Sequence, residues 1–95
     1  MKIYAIRWLS RIEGEEECGN FEVCYTDEKK ARKAMLEDMK DTKADWEKDG
    51  IAVKSRTLGP NGEGDENCDY AEITAEGMDG NYDYHEWWID ALDVD

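Results

Sequence analysis

The pattern of apolar and polar positions predicts two strands in the first quarter of the chain. Residues 2–10 are apolar on both faces of an extended backbone, which indicates a central strand covered on both sides. Residues 20–25 alternate between apolar and polar side chains. This alternation predicts a second strand with Phe21, Val23 and Tyr25 on its inner face.

Helical spacing of apolar residues replaces the strand pattern after residue 25. Thr26 or Asp27 can cap a helix, which is expected to run to about Lys48 and to stop at Gly50. At about 1.5 Å per residue, such a helix is about 33 Å long. The positions that share its predicted buried stripe are Ala31, Ala34, Met35, Met39, Thr42 and Trp46.

Three more strands are predicted in the second half, over residues 51–55, 70–76 and 84–92. Ninety-five residues are too few for two cores, so residues 1–95 are expected to form one domain. The fold class predicted is α+β, with a four- to five-stranded, mainly antiparallel sheet and one long helix packed on one face. The element order is β-β-α-β-β-β.

Two glycine-rich and acidic stretches, residues 13–20 and 59–67, are expected to be surface loops. A third loop should join the last two strands into a hairpin. A three-residue loop over residues 79–81 pairs Ile73 with Trp87, whereas a two-residue loop mixes acidic side chains into the apolar face. The three-residue loop is therefore favoured.

This choice places carboxylates and aromatic rings together on the outer face of the hairpin. If the helix covers the other side, Tyr4, Ile6 and Trp8 are expected on the same open face. Carboxylates beside tyrosine and tryptophan rings can bind arginine and lysine through charge-assisted hydrogen bonds and cation–π contacts. The candidate partner-binding residues are Glu72, Glu76, Tyr84, Glu86, Trp88 and Asp90.

Charge narrows the classes of partner. The net charge is −13, and residues 61–95 contain twelve acidic residues without a lysine or arginine. Such a field repels nucleic acids and anionic membranes and attracts basic protein surfaces. We therefore expect no direct nucleic-acid or membrane partner. The chain contains no apolar run of the length that spans a bilayer and no leader cleavage pattern, so a cytoplasmic location is the expectation.

Catalytic and metal-binding motifs are weak in this sequence. The single histidine, His85, is expected on the core side of the last strand, where it would pack rather than act as a base. Cys18, Cys24 and Cys68 fit no disulfide framework and are expected to be free thiols, with Cys24 at least partly buried. No catalytic residue, metal site or cofactor is predicted.

Calcium is the closest metal alternative. Asp79, Asn81 and Asp83 have the alternate spacing that begins a calcium loop of the helix-loop-helix type, and Asp90 falls at the twelfth position. Tyr84, however, occupies the position of the glycine that makes the sharp turn. A hairpin turn accounts for the same residues, so this interpretation is not adopted.

The functional expectation is a non-enzymatic protein-binding module whose acidic, aromatic face docks on a basic surface. In its sharpest form it is a nucleic-acid mimic that inhibits a DNA- or RNA-handling or defence protein. The profile is similar in type, without a shared motif, to small acidic proteins of phages and mobile elements. The alternatives are a homodimer through the open face, a solvated face without a partner, and a small enzyme or nucleotide sponge using the helix bases: Lys29, Lys30, Arg32 and Lys33.

Overall fold

The computed structural model describes residues 1–59, 62–63, 68–76 and 82–94. The strands, in chain order, are β1 (Lys2–Ile12), β2 (Glu15–Asn20), β3 (Val53–Gly59), β4 (Gly62–Glu63), β5 (Tyr70–Glu76) and β6 (Tyr82–Asp93). They form one antiparallel sheet in the order β2-β1-β6-β5-β3-β4. The helix α1 (Glu28–Lys48) packs on one face of it. The predicted fold class is confirmed, and β4 is a two-residue addition to it.

The helix begins and ends where its capping residues predict. The side chain of Asp27 accepts a hydrogen bond of 2.9 Å from the backbone N–H of Lys29, which satisfies one of the free donors of the first turn. Asp49 is the C-terminal cap, and Gly50 follows with a φ of 79°. A left-handed residue after the last turn favours glycine, since a Cβ atom strains the backbone there.

The first hairpin differs from the prediction. Glu13 and Gly14 have φ angles of 55° and 83°, and a two-residue loop with both φ angles positive matches the right-handed twist of a hairpin. The residues after the loop pair with β1 from Ile12–Glu15 to Arg7–Asn20. The predicted loop over residues 13–20 is therefore a turn followed by the edge strand β2. Its three glutamates are tolerated because their side chains are exposed to water.

The segment predicted as the second strand, residues 20–25, is largely irregular. Phe21 and Tyr25 still pack against the core, and Tyr25 forms an isolated bridge with Tyr4. Val23 is 59% exposed, so the expected inner face is not continuous. The alternation of apolar residues was correct at two positions. The described backbone pairing of this segment with β1 consists of two reciprocal hydrogen bonds between Tyr25 and Tyr4 and one from Phe21 to Ile6.

The core lies between α1 and the centre of the sheet. The described side chains with no exposed surface include Ile6, Met35, Ile73 and Trp87. Trp87 also donates a hydrogen bond of 2.7 Å from Nε1 to Oδ2 of Asp38 on α1. The largest buried side chain thus joins the sheet to the helix by apolar contact and by a hydrogen bond.

Trp8 packs against the edge strand at a glycine. A Cβ atom on Gly19 would lie 2.8 Å from Cζ2 of the Trp8 ring, closer than real Cβ contacts come. The absence of a side chain at Gly19 therefore allows the indole to lie over β2 and to extend the core towards that edge.

The register of the last hairpin is shifted by two residues from the prediction. Ile73 lies opposite His85, and Ala71 lies opposite Trp87. The expected Ile73–Trp87 pairing is wrong, and the proposed loop over residues 79–81 lies outside the described residues. A shift of two residues preserves the alternation of faces, because side chains on a strand point to opposite faces with a period of two.

The orientation of β1 is the opposite of the expectation. Tyr4, Ile6 and Trp8 point towards α1, and Ile6 is completely buried there. The expectation that they share the open face is wrong, because apolar residues on both sides of β1 left its orientation undetermined by pattern. On the other face of β1 lie Ile3, Ala5, Arg7, Leu9 and Arg11, and no described helix or strand covers that face.

Candidate functional site

We call the side of the sheet opposite α1 the open face. Strand alternation and the observed registers place its described side chains. They are Glu16, Cys18 and Asn20 on β2; Ile3, Ala5, Arg7, Leu9 and Arg11 on β1; Tyr82, Tyr84, Glu86, Trp88, Asp90 and Leu92 on β6; Tyr70, Glu72, Thr74 and Glu76 on β5; and Lys54, Arg56 and Leu58 on β3. All six candidate partner-binding residues lie on this one face.

Residues 61–95 contain no lysine or arginine, but the open face to which they contribute also carries arginines from other strands. Arg7 forms an ion pair with Asp90, and Nε of Arg56 lies 2.8 Å from Oε1 of Glu72. Both arginines lie outside residues 61–95. Two of the six candidate carboxylate and aromatic residues are therefore already paired with a base of the same chain.

The centre of the open face holds two carboxylates directly opposite each other. Glu72 on β5 is the cross-strand partner of Glu86 on β6. Like charges in this position oppose each other. The hydroxyl of Tyr70 lies between them, 2.6 Å from Oε2 of Glu86 and 3.0 Å from Oε2 of Glu72. A tyrosine hydroxyl carries one proton, so it can donate to only one carboxylate at a time.

The ionisation of Tyr70 reflects this environment. Burial raises its pKa well above the ordinary value, and the hydrogen bonds to Glu86 and Glu72 raise it further. Tyr70 is therefore a neutral donor at any physiological pH. Arg56 pairs with Glu72, whereas the described hydrogen-bond donor to Glu86 is Tyr70. Glu86 is therefore the member of this pair without a described ion pair.

Aromatic rings surround this pair of glutamates. Trp88 lies opposite Tyr70, and both are half-buried, while Tyr84 precedes Glu86 by two residues on the same face. The hydroxyl of Tyr84 lies 3.4 Å from Oε1 of Glu16. Tyr82 is 70% exposed at the end of β6. The resulting arrangement is a sheet surface on which rings border a pair of opposed carboxylates.

Three residues that contact the candidate carboxylates were missing from the sequence-based candidates: Arg7, Arg56 and Tyr70. Tyr70 alternates with Glu72 and could have been included from the strand pattern. The two arginines could not, because their position beside the carboxylates depends on which strands are neighbours in the sheet. Local periodicity determines the face of a side chain, not the neighbouring strand.

His85 lies on the helix side of β6, as expected. Its ring stacks between the indoles of Trp8 and Trp87, with centroid distances of 5.4 and 4.0 Å. Burial lowers the pKa of His85, and the nearby carboxylate of Asp38 offsets part of that shift. In the described part of the chain, Nε2 is buried without a hydrogen-bond partner. This environment favours neutral, packed histidine.

A specific dependence of stability on pH follows for His85. Because its pKa is lower in the folded state than the unfolded value of about 6.5, the unfolded state binds more protons as pH falls below that value. The free energy of unfolding should then drop, by at most about 1.4 kcal/mol per pH unit. Urea unfolding of the wild type and His85→Gln at pH 7.5 and 5.5 measures this. Parallel losses in both proteins would contradict the assignment.

The remaining cysteine and metal expectations have separate outcomes. Cys18 and Cys24 are free, as expected, and Cys68 is buried in the core. Cys24 is exposed rather than partly buried, because the segment that carries it does not form a strand. Asp79 and Asn81 of the calcium alternative lie outside the described residues. Among the residues that are described, no three His, Cys, Asp or Glu side chains are placed to hold a metal ion.

Comparisons with protein-family models, with curated proteins and with solved structures found no match to this chain. Within the described part of the chain, no helix is long and apolar enough to cross a membrane.

Proposed function

We propose that the protein is a non-enzymatic binding module whose open face docks on a basic surface of a partner protein. The observation that carries the proposal is the opposed pair Glu72 and Glu86 at the centre of an uncovered, ring-bordered sheet face. An arginine or lysine from a partner would compensate the charge of Glu86 and contact Trp88 or Tyr84. The net charge of −13 would steer basic partners towards the molecule.

The charge of the open face favours a discrete docking site over a continuous mimic of nucleic acid. A mimic needs carboxylates that are free to replace phosphates at regular spacing. Asp90 and Glu72 are instead paired with Arg7 and Arg56. We therefore propose a short cationic anchor on the partner, such as one or two arginine side chains, in place of an extended nucleic-acid groove.

Charge substitutions on the open face test this proposal. Glu86→Lys combined with Asp90→Asn changes the charge by three and leaves an oxygen that can accept a hydrogen bond from Arg7. We expect this double variant to weaken the complex with a captured basic partner about tenfold or more, since it removes a charge-assisted contact. The partner is captured from lysate at low salt, purified, and titrated calorimetrically at two salt concentrations.

The matched control is Glu15→Lys combined with Glu17→Gln. It changes the charge equally on exposed β2 positions that lie on the other side of the sheet. Binding that falls equally in both double variants would show attraction to the whole acidic molecule and would contradict an open-face site. Binding that does not weaken with salt would contradict a cationic partner.

A homodimer through the open face is the second candidate. The charges of that face differ by strand: β1 carries Arg7 and Arg11, β6 and β5 are acidic, and β3 is basic. A twofold axis parallel to β6 would place β1 of one copy over β5 of the other, where opposite charges meet, and β6 over β6, where the two Glu86 carboxylates repel. Sedimentation equilibrium separates the candidates: a mass of twice 11.0 kDa that returns to 11.0 kDa in Trp88→Ala favours the dimer.

A further inference from the structure

A cavity of about 540 Å³ opens at one end of the molecule, between the end of α1 and the ends of β1, β5 and β6. We call it the end pocket. Its described lining is half apolar and half acidic, and consists of Ile12, Trp46, Ile51, Ala75, Glu13, Asp49, Glu76 and Asp83. The volume is in the range that small ligands or side chains occupy in proteins.

The apolar half of the end pocket is unusually accessible. Ile12 and Ile51 are 44% and 38% exposed, and they flank the partly buried ring of Trp46. Exposed isoleucines beside an indole offer a surface that the stem of an aliphatic ligand can cover. The open face of the sheet contributes none of these three residues.

The acidic half creates a negative potential with several sources. Asp49 is the C-terminal cap of α1, where the unpaired carbonyl groups already carry partial negative charge. A carboxylate at this end of a helix opposes the dipole, whereas a cation there stabilises it. Asp83 approaches from the sheet, where its Oδ1 accepts a hydrogen bond of 3.0 Å from the backbone N–H of Glu13.

No positive side chain lies among the described lining residues to balance this potential. The chain contains no lysine or arginine after Arg56, so residues 57–95 cannot supply one. Lys48 is the basic residue of the last helical turn, and its Nζ lies 3.5 Å from Oδ1 of Asp45, which does not line the end pocket. In the described chain, the carboxylates are also not grouped as a metal ion requires, which favours a larger cation.

We propose that the end pocket binds an organic cation, a guanidinium or ammonium group carried on an apolar stem. The stem would lie on Ile12, Ile51 and the ring of Trp46, and the charged group would lie between Asp49 and Asp83. Contact with Trp46 adds a cation–π interaction. This chemistry is shared by a free alkylamine or alkylguanidine and by an arginine or lysine side chain of a protein.

Titration of the full chain with n-butylguanidinium tests the proposal. The probe should shift the indole N–H resonance of Trp46 in a nitrogen–proton correlation spectrum, which Trp46→Phe assigns. Butylurea has the same shape without the charge and should not shift it. Equal shifts with butylurea, or no shift with either compound, would overturn the proposal.

Two double variants locate the charge. Asp49→Asn with Asp83→Asn retains an acceptor for the N–H of Glu13 and should weaken binding of n-butylguanidinium roughly tenfold. Glu22→Gln with Glu37→Gln removes the same charge at exposed positions outside the end pocket and should change the affinity less than twofold. An equal loss in both would show general attraction to an acidic protein and would contradict a site.

A second arm identifies the source of the cation. The blocked tripeptide acetyl-Gly-Arg-Gly-amide presents guanidinium on a backbone. Binding as tight as that of n-butylguanidinium supports a protein side chain as the occupant, whereas exclusion of the peptide supports a free small molecule. The test is separate from that of the open face, although the two share Glu76, since Glu86→Lys with Asp90→Asn alters no residue of the end-pocket lining and should change both affinities less than twofold.

Discussion

Trp87→Ala is expected to lower the free energy of unfolding by about 4 kcal/mol, because it removes the largest side chain of the core. A domain of this size has a total stability of about 5–14 kcal/mol, so much of that total would be lost. The ring touches the core at the point where β6 meets α1, and the surrounding sheet cannot collapse into the space. Urea unfolding followed by circular dichroism measures the loss.

The neighbouring residue is the matched control for this substitution. Trp88 is also a tryptophan on β6, but it lies on the open face and is only half-buried. Trp88→Ala is expected to lower the free energy of unfolding by about 2 kcal/mol, which is less than the cost of Trp87→Ala because part of the Trp88 ring is already in water. It should also reduce partner binding or self-association. Equal destabilisation by the two variants would contradict the assignment of faces along β6.

Asp38→Ala is expected to destabilise the protein by about 2 kcal/mol, because it leaves the buried indole N–H of Trp87 without its acceptor. Alanine also raises helix propensity, which works against the loss. Asp41→Ala gains the same propensity at an exposed position of α1 and is therefore the reference. The difference between the two variants isolates the hydrogen bond.

The measurement is made at pH 8, where His85 is neutral with or without the nearby carboxylate. A second comparison in a Trp87→Phe background closes a double-mutant cycle. There, Asp38→Ala should cost no more than Asp41→Ala. A loss that persists without the indole would place the contribution of Asp38 elsewhere on α1.

Trp87→Ala and Asp38→Ala test the folding of the core, whereas the variants of the open face and of the end pocket test binding. The core prediction depends on the side of β6 that carries Trp87, and the binding predictions depend on the side that carries Glu86 and Trp88. The end-pocket prediction does not depend on the assignment of faces along β6 alone, because residues of α1 and β1 line the pocket together with Asp83. Failure of one prediction therefore leaves the others intact.

The bounds of α1 and β5 follow from the sequence, because local interactions determine them. Asp27 and Gly50 lie at the two ends of a continuous helical stripe, and its members Ala31, Met35 and Met39 are buried. The alternation in β5 and β6 also determined which side chains share a face. The candidate residues stayed together on the open face even though the register was shifted by two residues.

The first hairpin could not be predicted from the local pattern of apolar and polar residues. β2 contains three consecutive glutamates, which have low strand propensity, and it forms because it pairs with β1 at the edge of the sheet. The Glu13–Gly14 turn was available in the sequence as a two-residue connection. Composition favoured a loop there, whereas the pairing energy with a neighbouring apolar strand favours the hairpin.

What the sequence alone determined is the helix, the strands β1, β3, β5 and β6, and the acidity of the last third of the chain. What only the tertiary structure decided is the environment of those acids. The pairing of strands brings Arg7 beside Asp90 and Arg56 beside Glu72. It also places Glu86 opposite Glu72. Periodicity is a property of one strand, whereas electrostatic compensation depends on distances between strands, and those distances are established when the sheet assembles.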